Sequence, residues 1–129
     1  MNILFLFRGT GIGGLEVVTS VLANRFLSLG HNVSVFIFRK EEGVSILEKF
    51  SKRVSVCLCN DYHVNKANIV ALREMLICHH VQIVINQWGL PVIPIKVARK
   101  AAKGLNVKFI SVYHNSPDKN GRLQGIDME

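Results

Sequence analysis

Apolar residues gather in five short runs along the chain, Ile3 to Phe7, Val33 to Phe38, Val54 to Leu58, Val81 to Ile85 and Val107 to Val112. Most are nearly continuous rather than alternating, the pattern of strands covered on both faces. Between them the apolar positions return with helical spacing: Leu15, Val18, Leu22, Phe26 and Leu29, then Val44, Leu47 and Phe50, then Ile69, Leu72 and Leu76, then Ile93, Val97 and Ala101. Gly30 and Gly104 stand where helices should end, and Pro91 and Pro94 where one should begin. The pattern predicts β-α-β-α-β-α-β-α-β. Right-handed crossovers then favour an α/β, Rossmann-like, doubly wound parallel sheet in three layers, with about five strands in the order 3-2-1-4-5.

The 129 residues are enough for one domain with a real core. With 49% hydrophobic and 19% charged residues, the composition excludes a disordered or low-complexity chain. Ile3 to Phe7 is stopped by Arg8 and is far too short for a signal-peptide core or a membrane span. Cys57, Cys59 and Cys78 are odd in number and fall in or beside predicted elements, where a reduced thiol acts as a small hydrophobe; the cytoplasm is the expected compartment. The net charge of +7 is spread out, its clearest cluster being Lys96, Arg99, Lys100 and Lys103 on one helical face. Such a face is ordinarily solvated; the alternative is peripheral contact with an anionic membrane surface or an acidic acceptor. No aromatic residues interleave with these cations, which argues against nucleic acid.

In a doubly wound sheet, ligands sit outside the carboxyl ends of the strands near the switch point, which nominates the loops Arg8 to Gly14, Asn86 to Pro91 and Tyr113 to Pro117. The first reads Arg8-Gly9-Thr10-Gly11-Ile12-Gly13-Gly14-Leu15-Glu16 and opens into a helix. Glycines allow close approach of the backbone, and the unpaired N–H groups of the helix start attract an anion, so a phosphate or diphosphate is the natural guest. A ligand-free tight turn is the plain alternative. Gly9, Gly11 and Gly14 also satisfy G-x-G-x-x-G, the fingerprint of an NAD(P)-binding oxidoreductase domain. That fingerprint wants an acidic residue at the end of strand two. Here the strand ends in Phe38-Arg39-Lys40, and Glu41 and Glu42 come slightly late. No Walker lysine follows the glycines.

Gly13-Gly14-Leu15-Glu16-Val17-Val18, then Leu22-Ala23, then Leu29-Gly30-His31-Asn32-Val33, resemble the opening of retaining family-4 glycosyltransferases of the GT-B fold, which read G-G-x-E, a helix, and G-H-x-V. Tyr113-His114-Asn115-Ser116-Pro117 is similar to the H-N or H-D turn of the same family. The resemblance implies transfer of a sugar from a nucleotide sugar to a glycan or lipid-linked acceptor, with retention at the anomeric carbon, in polysaccharide or lipid-linked oligosaccharide assembly. It implies that the amides of Gly13 and Gly14 meet the donor's diphosphate, stabilising the charge that grows on the leaving group. Glu16 either touches the donor or serves only the first turn of its helix. His114 resembles the family's active-site histidine beside the transferred sugar, with a satisfied loop histidine as the alternative; Asn115 either joins it or fixes the turn before Pro117. Asn86, Gln87 and Trp88 fall where the family lines its acceptor side, although an indole serves equally as a core or hinge anchor.

No cofactor is expected, the nucleotide sugar being a substrate, and no metal: His79 and His80 are adjacent, beside Cys78, and do not readily converge on one ion. The family holds its donor nucleotide mainly in a second domain with a basic pair and an E-x7-E motif, neither of which is present. The chain is therefore expected to be the truncated acceptor-side half, residues 1–129, inactive without its C-terminal partner domain. The competing classes are the oxidoreductase domain and a non-catalytic interaction module.

Overall fold

A computed structural model describes residues 1–87 and 92–112. The strands are β1 (Asn2–Gly9), β2 (Asn32–Arg39), β3 (Ser55–Leu58), β4 (Ile83–Asn86) and β5 (Lys108–Ser111), and the helices α1 (Gly14–Ser28), α2 (Lys66–Cys78) and α3 (Val92–Ala101). The sheet runs β3-β2-β1-β4-β5, all parallel, as the periodicity predicts.

The continuous apolar runs are explained by the two faces of β1 and β2. Leu4, Leu6, Phe36 and Phe38 point to one side, where they pack with Leu72 and Leu76 of α2 and Val97, Ala98 and Ala101 of α3. Ile3, Phe5, Phe7, Val33, Val35 and Ile37 point to the other, against Ala23 and Leu27 of α1. Side chains alternate along a strand, so a strand buried on both faces must be apolar at every position. β1 and β2 are long and buried along most of their length. The outer strands β3 and β5 are short, and every residue of β5 is exposed.

One expected element differs. In place of a helix through Val44, Leu47 and Phe50 there is a single 3-10 turn, Ile46–Lys49. Gly43 takes a φ of 97°, a left-handed conformation that breaks any helix there. The Ser45 hydroxyl accepts from the Leu47 amide at 3.1 Å to start the turn. Asn24 of α1 then fixes its end, donating to the Lys49 carbonyl at 2.8 Å and accepting from the Ser51 amide at 3.0 Å. Ile46, fully buried, anchors the turn in the α1-side core. The apolar spacing there marks a short segment pinned at both ends, and helical period alone does not separate the two over so few residues. Among the described residues no helix is long and apolar enough to cross a membrane.

Candidate active site

All the loops that leave the strands emerge at the carboxyl edge, so the glycine-rich segment after β1 stands next to the chain that leaves β2. In register, Gly9 pairs with Arg39. Thr10, only 1% exposed, locks the two loops together. Its hydroxyl accepts from the Glu41 amide at 2.8 Å and donates to the Glu41 carbonyl at 3.3 Å, and its own carbonyl accepts from the Ile46 amide at 2.8 Å.

This lock places the Glu41 carboxylate over the first two glycines. A Cβ on Gly9 would overlap the carboxylate, and one on Gly11 would lie 3.1 Å from Glu41 Oε2. The glycines are thus needed for close approach of a neighbouring side chain as well as for any ligand. Further along, the Gly13 amide donates to Glu16 Oε1 at 3.0 Å. Glu16 therefore serves the first turn of α1 by the reach-back typical of helix starts. The Val17 amide closes that turn onto the Gly13 carbonyl at 3.1 Å.

The loop is divided as a result. Gly9 and Gly11 lie under a carboxylate, and Gly13 spends its amide on another. Beyond them Gly14 has nothing within 4 Å of where a Cβ would stand. The amides of Gly14, Leu15 and Glu16, in the first turn of α1, have no helical carbonyl to reach. They form the open, partly positive end of the helix. The Glu41 carboxylate repels an anion from Gly9 and Gly11, and the Glu16 carboxylate must leave the Gly13 amide before an anion can settle fully on the helix start.

Asn86 and Gln87, at the end of β4, are buried, at 0% and 4% exposure. Asn86 Nδ2 donates to Ser111 Oγ of β5 at 3.3 Å, and its carbonyl accepts from Val112 at 2.8 Å. Asn86 thus joins β4 to β5 at the edge that delivers the next loop. Trp88, His114 and Asn115 lie outside the described residues. The structure therefore brings Gly13, Gly14 and Glu16 together on the β1–α1 junction, with Asn86 and Gln87 at the end of the neighbouring strand, β4. The four basic residues Lys96, Arg99, Lys100 and Lys103 are all exposed.

Sequence reasoning did not single out two features of this edge. One is Thr10, whose signal was a hydroxyl within a glycine run. The other is Tyr62, just after β3, with the Arg8 guanidinium 5.9 Å from its ring centroid. Its hydroxyl is buried without a hydrogen-bond partner among the described residues. Burial raises the phenol above its ordinary pKa, and the Arg8 and Arg39 guanidiniums offset part of the rise.

A doubly wound parallel domain with an open helix start at its first β-α junction is an architecture on which many proteins bind phosphate-bearing ligands. The sequence narrows this: residues 12–127 match the model of Glycosyltransferase Family 4, and the chain belongs to that family. Among solved structures it is similar to a glycosyltransferase from Rickettsia africae ESF-5, with a TM-score of 0.65 and 19% identity over 91% of this chain and 31% of the other. The chain thus spans about a third of that protein. No curated protein matches it.

Proposed function

We propose that this domain is the acceptor-side half of a retaining glycosyltransferase, which moves a sugar from a nucleotide sugar to a glycan or lipid-linked acceptor. The observation that carries the reading is the free run of amides at Gly14, Leu15 and Glu16, with open space over Gly14, at the carboxyl edge of a family-4 domain. The donor's diphosphate sits on these amides. Donors already in place there stabilise the negative charge that grows as the sugar leaves, and need no reorganisation at the moment of reaction.

Gly13 contributes its amide once Glu16 yields it to the phosphate. His114 stands beside the transferred sugar, and Asn115 and Trp88 complete the acceptor side. Asn86 and Gln87 act from beneath, by fixing the end of β4. The base and ribose of the donor are held by a second α/β domain, and the 129 residues alone transfer no sugar. The exposed cations of α3 favour an anionic acceptor or membrane surface nearby.

Gly14→Pro tests the diphosphate site. Proline is well tolerated at the first position of a helix, where its missing N–H has no helical partner, and the extended Gly13 (φ −124°, ψ −177°) suits a following proline. The variant should keep its melting temperature and lose one phosphate donor. Inorganic pyrophosphate should then bind at least about tenfold more weakly, as expected for losing a hydrogen bond to a charged group. Pyrophosphate binding unchanged in Gly14→Pro would remove the diphosphate from this junction.

A further inference from the structure

A diphosphate on the start of α1 makes no use of Glu41, and the structure gives this carboxylate no other task. It is half-buried, and among the described residues it forms no ion pair or side-chain hydrogen bond. Its backbone is held at both N–H and C=O by Thr10, so the side chain departs from a fixed point. It lies across Gly9 and Gly11, where any larger residue would displace it. An ionised carboxylate carries two acceptor oxygens and no donor, so its complement is a group with two donors close together. Phosphate is excluded by charge. A neutral vicinal diol fits, one hydroxyl to each oxygen, and the glycines beneath leave the carboxylate room to lie flat along the loop.

We propose that Glu41 binds a vicinal diol of a neutral sugar ring, and that this ring belongs to the acceptor. The proposal rests on the reading of this face as the acceptor side. It divides the edge into two subsites of opposite character: a carboxylate over Gly9 and Gly11 for hydroxyls, and bare amides at Gly14 for phosphates. The Thr10 lock lowers the entropy cost of binding, because the Glu41 backbone is already fixed before the sugar arrives. The same chemistry has a second source. In other doubly wound domains an acidic residue near the end of strand two holds the ribose hydroxyls of a nucleotide, so a ribose must be distinguished from an acceptor sugar by experiment.

The amides of Gly9, Thr10, Gly11 and Glu41 in the isotope-labelled chain report binding directly by NMR. Methyl α-D-mannopyranoside and methyl α-D-glucopyranoside should shift them saturably, and their fully O-methylated counterparts should not. The dissociation constant should rise about tenfold or more in Glu41→Ala, and severalfold in the near-isosteric Glu41→Gln, whose fold is the less at risk; Glu42→Gln should match the parent. If adenosine shifts these amides and 2′-deoxyadenosine does not, with no response to either glycoside, the diol chemistry stands and the acceptor assignment is overturned. Failure of every diol, or glycoside binding that is unchanged in Glu41→Ala and Glu41→Gln, overturns the proposal entirely. Pyrophosphate shifts at Gly14, read in the same samples, score the diphosphate site separately.

Discussion

Thr10 and Glu41 are joined twice, since the Thr10 hydroxyl accepts from the Glu41 amide at 2.8 Å and donates to the Glu41 carbonyl at 3.3 Å. A single side chain thereby holds the loop after β1 to the loop after β2, at the edge where the ligands are proposed to bind. Replacing Thr10 by valine preserves the shape and deletes both bonds. Denaturant unfolding should show a loss of about 1–3 kcal/mol, the cost of stranding partly buried backbone groups. Thr10→Ser should recover most of it. In Thr10→Val the Gly9 and Gly11 amides should also shift by NMR as Glu41 loses its fixed origin; a spectrum changed only at residue 10 would sink the idea of a lock.

Arg73 of α2 does comparable work on the other face. Its Nη1 donates to the carbonyls of Ala101 at 2.9 Å and Lys103 at 2.6 Å, which the end of α3 leaves without helical partners. Arg73→Ala should cost about 1.5–3 kcal/mol of unfolding free energy, the range for bonds to a charged group. Arg73→Lys should restore part of the loss, because an ammonium keeps the charge and more than one donor but ends a shorter side chain. Equal stability of the alanine variant and the parent would show the pairing to be idle.

Asn68, 2% exposed at the start of α2, is a buried polar side chain that uses its amide several times over. Its Nδ2 donates to the Asp61 carbonyl at 3.1 Å, the Asp61 carboxylate at 3.2 Å and the His63 carbonyl at 2.8 Å. Its amide is capped by the Asn65 side chain at 2.8 Å. Asn68→Leu should destabilise by about 2–3 kcal/mol, since it removes three partly buried hydrogen bonds at once. Asn65→Ala, which removes the cap and an exposed bond from Asn65 Nδ2 to the Asp61 carboxylate at 3.0 Å, should cost about 1 kcal/mol. Thermal melts that rank the two the other way would mean the loop before α2 is held by something else.

The strand order was legible because β1 and β2 are buried on both faces, and continuous runs such as Leu4 to Phe7 admit few other readings. The β2–β3 crossover was not. Val44, Leu47 and Phe50 have helical spacing, but the Gly43 conformation and the two bonds from Asn24 decide the outcome, and those bonds come from a residue of α1 far away in sequence. The glycine loop was read as an anion cradle from its composition. What composition could not show is that two carboxylates already lie on it. Glu16 takes the Gly13 amide, and Glu41 covers Gly9 and Gly11. Glu41 is slightly late for the dinucleotide fingerprint along the chain, yet the Thr10 lock brings it back over the glycines. Distance along the sequence and distance in space part company wherever a side chain ties two loops.

The thiol of Cys59 supplies a pH dependence whose sign can be worked out. Burial first, and then the neighbouring Cys57, push its pKa up to about 12 from an ordinary 9.0. A pKa raised by folding means that the folded chain holds the proton through a window in which the unfolded chain releases it. Stability from this group is therefore intact below about pH 9 and declines as pH rises toward about 12. Unfolding free energies measured from pH 8 upward should fall more steeply in the parent than in Cys59→Ala, and the two curves should run parallel below pH 8.5. Tyr62, whose phenol is also raised, contributes a decline of the same sign in both proteins and cancels from the comparison. At pH 8 the same protonation makes Cys59 slow toward iodoacetamide, whereas the exposed Cys78 should be modified first. Mass spectrometry of the alkylated chain checks that order, and modification of Cys59 ahead of Cys78 under native conditions would contradict the raised pKa.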